Sequence, residues 1–155
     1  MRERESQGKS SNKELLSKSQ QSLHLGSRWA WVGDSGGHYL RCNHLRKAGF
    51  NHGFFTKNWQ DNNPERLSHV LKERVSVHQL KQVHRSEVVN ASNAKSEPWP
   101  KSDSLVSDNN AQSLWICTAD CIPLLLANPS TGHVAACHAG WRGIAFQIIE
   151  RALKK

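Results

Sequence analysis

The side chains best suited to chemistry lie in the last third of the chain. Cys121 falls in the break Ala119-Asp120-Cys121, between the apolar runs Ser113–Thr118 and Ile122–Ala127. His138 closes the run His133–His138, just before Ala139-Gly140-Trp141-Arg142-Gly143. Alternation along a strand puts Val134, Ala136 and His138 on one face and His133, Ala135 and Cys137 on the other. With Val134 and Ala136 facing a core, His138 lies at its rim. A thiolate and an imidazole from two paired strands are soft and borderline ligands, suited to zinc or copper. His84 ends an alternating stretch, Val77–His84, and is the third candidate. Three protein ligands leave one position open, as catalytic zinc sites do. There is no short CxxC or HExxH spacing, so ligand types alone also fit a hydrogen-bonded strand histidine and an ordinary thiol.

Gly140 and Gly143 flank a turn that opens a helix. Free N–H groups there, with the guanidinium fork of Arg142, could hold a phosphate or carboxylate. The same residues equally serve a plain tight turn, with Arg142 paired to an acid. Cys117 and Cys137 read as small core hydrophobes, and Cys42 has no evident partner.

Several elements must position these groups. Trp29–Val32, the Gly-rich stretch Gly33–Gly37 and Tyr39–Cys42 read as strand, turn and strand. His52–Lys57 reads as a short strand. Pro64–Glu73 has a helical pattern with Leu67, Val70 and Leu71 on one face, and Val77–His84 alternates like a half-buried strand. Residues 90–104, rich in Asn, Ser and Pro, read as a loop. Asn128–Gly132 is a strong turn signal, so 124–138 reads as a hairpin. Pro123 cannot donate to a ladder and implies a break or an edge position. Ile144–Leu153 repeats apolar residues at i, i+4 and i+8, as an amphipathic helix does.

Strands mixed with helices indicate an α/β or α+β fold. The chain of 155 residues is long enough for a real core. Its mean hydropathy of −0.66 owes much to residues 1–27, a polar stretch read as a disordered extension. Net charge is +8, but the basic residues are scattered among acids, which argues against nucleic acid as partner. No segment is apolar and long enough to span a bilayer, and no secretory leader is apparent. A cytoplasmic location follows as the default, with cysteines kept reduced.

Thr118–Ala127 and His138–Gly143 closely resemble the two signature blocks of the YfiH-type family. That family is also called the laccase-domain or multicopper polyphenol oxidoreductase family, and its members are often named purine nucleoside phosphorylases. Leu80–His84 resembles the family's Gln-Val-His block, and His52–Lys57 its early His-Gly-Phe segment. The blocks occur in the family's order with similar gaps. The resemblance covers residues 29–155 and makes 28–155 the N-terminal part of a single catalytic domain. It implies a layered fold with a central mixed sheet flanked by helices, similar to the cytotoxic-necrotizing-factor catalytic domain.

The resemblance also places metal ligands at His84, Cys121 and His138, with zinc expected and copper possible. It implies phosphorolysis of adenosine, inosine, guanosine and methylthioadenosine, and hydrolytic deamination of adenosine. Purine nucleosides and phosphate are then the partners. Cys121, His138 and Arg142 are the expected catalytic residues, and Arg142 and Lys57 the expected phosphate contacts. An ion with an open position can activate water for attack on a purine carbon, and Arg142 at a helix start can orient phosphate. Four departures stand out. Lys57 replaces the usual Arg, Trp59–Asn63 stands in place of the Gly-Gly and Asn-Leu-Gly stretches that usually follow, Arg85 replaces the Gly after Gln-Val-His, and the family continues well past residue 153. The chain therefore reads as incomplete at its C-terminus.

Three other readings compete. One is a cysteine hydrolase or deamidase with Cys121 as nucleophile and His138 as base. Another is copper-dependent polyphenol oxidation, for which a single mononuclear site is too little. The last is a non-catalytic remnant that binds a partner through an exposed helix face.

Overall fold

The computed structural model describes residues 24–25, 28–34, 36–59, 63–72 and 74–155. The expected polar extension 1–27 lies mostly outside the described residues. The chain divides into two compact units, Met1–Asn62 and Asn63–Lys155.

In the first unit, strands β1 (His24–Leu25), β2 (Trp29–Asp34), β3 (Gly37–Cys42) and β4 (Phe54–Phe55) form an antiparallel sheet in that order. Helix α1 (Asn43–Lys47) follows β3 directly. The expected strand–turn–strand is present. An aromatic cluster holds its turn: Phe55 stacks on Tyr39 and meets Trp59 edge-on, each at 5.0 Å between centroids. Trp59 Nε1 donates to the His38 carbonyl at 2.8 Å. Gly36 must lack a side chain, because a Cβ there would lie 2.5 Å from the Trp59 ring.

The second unit opens with α2 (Pro64–Leu71), started by the Asn63 side chain accepting from Glu65 N–H and by proline at the first turn. Next come β5 (Ser76–His78), β6 (Val88–Asn90), a 3₁₀ turn (Ala91–Asn93), β7 (Ser104–Val106) and β8 (Gln112–Leu114). The hairpin β9 (Ile122–Ala127) and β10 (Val134–Ala139) follows, then α3 (Trp141–Ala145) and α4 (Ile148–Lys154). A mixed sheet runs β6-β7-β10-β9, with β6 and β7 parallel and the remaining pairs antiparallel. β5 and β8 form a separate parallel pair.

Helix α4 covers one face of the mixed sheet, packing Ala152 against Ala135, Cys137 and Val106. A second apolar cluster joins Leu80, Ala91, Ala94 and Leu105. The protein is thus a mixed α/β fold. Among the described residues, no helix is long and apolar enough to cross a membrane.

The hairpin forms as expected. Asn128 Oδ1 accepts from Ser130 and Thr131 N–H, and Gly132 takes φ 77. Pro123 sits on β9, the outer strand of its sheet, where its missing N–H matters least.

Three expectations change. The strand expected over 77–84 stops at His78, and the N–H groups of Val83, His84 and Arg85 turn to the Asp103 carboxylate instead of a neighbouring strand. The loop expected over 90–104 ends in β7, an inner strand of the mixed sheet, whose residues are all buried. Serine side chains in this stretch bond to neighbouring segments: Ser102 Oγ donates to the Glu87 carbonyl at 2.6 Å, and Ser104 Oγ meets Cys137 Sγ at 2.9 Å. The helix expected over 144–153 is interrupted at Gln147, which takes a left-handed φ of 60.

Candidate metal centre

Three segments of the second unit bring His84, Cys121 and His138 together, with one ligand atom from each lying within 4.8 Å of the others. His138 comes from the end of β10, Cys121 from the residue just before β9, and His84 from the irregular stretch after β5. Pairing of β9 with β10 sets Pro123 opposite His138 and so delivers Cys121 to the same end of the sheet. The two imidazole rings stand perpendicular with centroids 4.7 Å apart. His138 is buried, Cys121 half-buried and His84 exposed.

His84 reaches this place through a left-handed backbone, φ 59. For a residue with a Cβ that conformation costs about 1–2 kcal/mol. The Asp103 carboxylate holds it there. Oδ1 accepts from His84 N–H at 2.9 Å, and Oδ2 accepts from Arg85 N–H at 2.8 Å. The same Oδ1 contacts His138 Nδ1 at 2.8 Å, in a pair that is almost wholly buried. Gln82 ties the loop to the Cys121 segment. Its amide donates to the Cys117 carbonyl and accepts from Cys117 N–H, both at 2.7 Å, as a neighbouring strand would.

Gly140 lies beside the three side chains. A Cβ there would lie 3.1 Å from Cys121 Sγ, 3.7 Å from His84 Cδ2 and 3.9 Å from His138 Cε1. The missing side chain therefore leaves room for the Cys121 sulfur. One thiol and two imidazoles are a donor set for zinc or copper. A tetrahedral zinc spaces its N and S donors by roughly 3.3–3.7 Å, and the three donor atoms lie within 4.8 Å of one another. Burial, reinforced by the carboxylates of Asp120 and Asp103, pushes the Cys121 thiol above its ordinary value. A divalent cation beside the sulfur reverses that balance. The residues fit the ion.

Beside His84 a groove of about 600 Å³ is lined by Val83, Arg85, Ser86, Glu87, Arg142 and Phe146. Arg142 sits in the first turn of α3 with its guanidinium 4.4 Å from the centre of the Trp141 ring. Lys57 lies exposed in the first unit, after β4. Of the two cysteines expected in a core, Cys137 is fully buried and Cys117 is exposed. His52 plays a structural part: it accepts from Cys42 N–H at 2.8 Å and its Nδ1 pairs with the Phe50 carbonyl at 2.9 Å.

Sequence reasoning missed Asp103, Gln82 and the spatial role of Gly140. Asp103 had one signal, an acid between two serines, two residues before the apolar Leu105-Val106.

Residues 35–155 match the family model described as multi-copper polyphenol oxidoreductase laccase. The chain belongs to that family. It is 33% identical over 133 residues to a purine nucleoside phosphorylase of Synechocystis, covering 82% of this chain and 50% of the relative. A Deinococcus radiodurans purine nucleoside phosphorylase is 41% identical over 76 residues, which is 49% of this chain and 29% of that one. The purine nucleoside phosphorylase YfiH of Escherichia coli is 34% identical over 76 residues, 48% of this chain and 30% of that one. The fold resembles crystal structures of a Neisseria meningitidis protein and of YlmD from Geobacillus stearothermophilus. TM-scores are 0.52 and 0.51, at 23% and 22% identity, covering 88% and 85% of this chain and 57% of each of theirs. The chain thus spans half the length of its Synechocystis relative.

Proposed function

We propose that the chain carries the metal-binding part of a zinc-dependent purine nucleoside phosphorylase, working in the cytoplasm. Its substrates would be adenosine, inosine, guanosine and methylthioadenosine, with hydrolytic deamination of adenosine as a second activity. The observation that carries the metal reading is the convergence of His84, Cys121 and His138, with one ligand atom from each within 4.8 Å of the others. The names of the relatives support the substrate class. The four unpaired cysteines suit a reducing compartment.

When bound, the ion would supply Lewis-acid polarisation of the substrate. The chain's own residues supply the rest. Phosphorolysis forms a bond from a phosphate oxygen to the anomeric carbon of the ribose and breaks that carbon's bond to the purine nitrogen. Arg142, in the groove beside His84, would hold the phosphate by a bidentate contact. Phe146, largely exposed in the same groove, offers a flat apolar face to a purine. The groove volume is within the range that holds a nucleoside-sized ligand.

Elemental analysis of the purified chain tests the metal centre, with Cys121→Ser beside it. Near-stoichiometric zinc that vanishes in the variant is expected, and purine release from inosine should then depend on phosphate. A folded protein without metal in either form defeats the reading. If His84→Ala keeps activity while losing the ion, a hydrolase using Cys121 and His138 replaces it.

A further inference from the structure

We infer that Asp103 is the positioning residue of the metal centre: its carboxylate holds His138 in the Nδ1–H tautomer, leaving Nε2 free for the ion, and clamps the backbone that carries His84. This rests on the metal reading above.

The argument is one of donors and acceptors. Both carboxylate oxygens of Asp103 accept from backbone N–H groups, which can only donate. Oδ1 takes His84 N–H at 2.9 Å and Val83 N–H at 3.2 Å, and Oδ2 takes Arg85 N–H at 2.8 Å. The contact of Oδ1 with His138 Nδ1 at 2.8 Å must then be made by a hydrogen on Nδ1. A neutral imidazole protonated at Nδ1 keeps its lone pair on Nε2, the state a metal requires. The Asp103 carbonyl also accepts from His138 N–H at 2.7 Å, so one residue grips this histidine through backbone and side chain. Asp103 is fully buried, so water does not compete for these bonds.

An asparagine at 103 keeps the shape but replaces one oxygen by an NH₂ donor. Turned toward His138, that NH₂ meets Nδ1 as a donor, drives the proton to Nε2 and also faces the His84 N–H that Oδ1 accepted. Turned toward Arg85, it faces another N–H and removes one of the bonds that hold the His84 loop. Either arrangement disturbs the support of a ligand. A merely structural Asp103 would instead cost stability without disturbing the tautomer or the ion.

The full chain is titrated with zinc against a competing chelator, as the natural protein, as Asp103→Asn and as Asp108→Asn. Asp108 is a second hydrogen-bonded carboxylate, bonded to Ser92 and Gln112, and touches no ligand residue. Zinc affinity should fall 10–100-fold in Asp103→Asn and stay unchanged in Asp108→Asn. Long-range proton–nitrogen NMR of the metal-free natural protein should show His138 protonated at Nδ1. Unaltered affinity in Asp103→Asn, an equal loss in Asp108→Asn, or an Nε2–H tautomer overturns the inference. If Asp103→Asn does not fold, the tautomer of the natural protein decides. Failure of the natural protein to take up zinc overturns the metal reading itself and this inference with it, an outcome distinct from a defect confined to the variant.

Discussion

A methyl group on Gly140 would sit 3.1 Å from the Cys121 sulfur and within 3.9 Å of His138 Cε1. Gly140 itself has an ordinary backbone conformation, φ −68 and ψ 163. Its need for glycine therefore comes from space and not from the turn. In Gly140→Ala the sulfur must give by a few tenths of an ångström. Zinc affinity should fall by roughly tenfold or more, in the range seen when ligand support is disturbed. Overpacking at this point should cost about 1 kcal/mol in stability. A chelator competition and a thermal melt on the same sample check both. Unchanged affinity would show that the ligands do not close around that space. The three candidate ligands were legible from their types and from family blocks. Asp103 was not, because a polar stretch of Ser and Asp reads as loop until its partners are known.

At the scale of elements, α3 and α4 read in sequence as one amphipathic helix, since Ile144, Ile148 and Ala152 keep helical spacing. The structure breaks it at Gln147, whose φ of 60 is left-handed. Phe146 N–H and Gln147 N–H close the first segment on the Arg142 and Ile144 carbonyls. The break lets α4 drop Ile148 and Ala152 into the core while α3 stays at the site with Arg142. Glycine accepts this backbone without strain, worth about 1–2 kcal/mol, against roughly 0.4–1 kcal/mol of added chain entropy in the unfolded state. Gln147→Gly should therefore stabilise by up to about 1 kcal/mol, a rise of at most about 2–4 °C in Tm. A lower Tm would mean that the Gln147 side chain carries a contact of its own. The strand expected through His84 failed for a related reason. The strand ends at His78; beyond it Gln79 and Lys81 N–H bond to the Ala94 and Pro100 carbonyls, and those of Val83, His84 and Arg85 to the Asp103 carboxylate.

Over the whole molecule, each unit buries a histidine. Burial holds His52 below its ordinary value in the first unit, and burial likewise holds His78 down in the second. The folded state thus binds these protons more weakly than the unfolded chain. Their contribution is fully present above the unfolded value of about 6.5 and is lost as pH falls below it toward the folded values. Urea unfolding at pH 7.5 and 5.5 should show lower stability at the acid value. His52→Gln should be less stable at pH 7.5 but lose less on acidification. Equal or greater stability at pH 5.5, with no change of slope in the variant, would contradict this assignment.

What the sequence determined by itself is local. The Asn128–Gly132 turn, the start of α2 at Asn63-Pro64, the edge position of Pro123 and the identity of three metal-competent side chains depend on neighbouring residues or on side-chain chemistry alone. Tertiary structure decided the site. The left-handed His84, the space kept by Gly140 and the four donors gathered on Asp103 each join segments far apart in the chain, 18 residues for Arg85 and 35 for His138. Hydrogen bonds of that kind are specified by which buried groups lack another partner, and only the packed sheet settles which groups are buried.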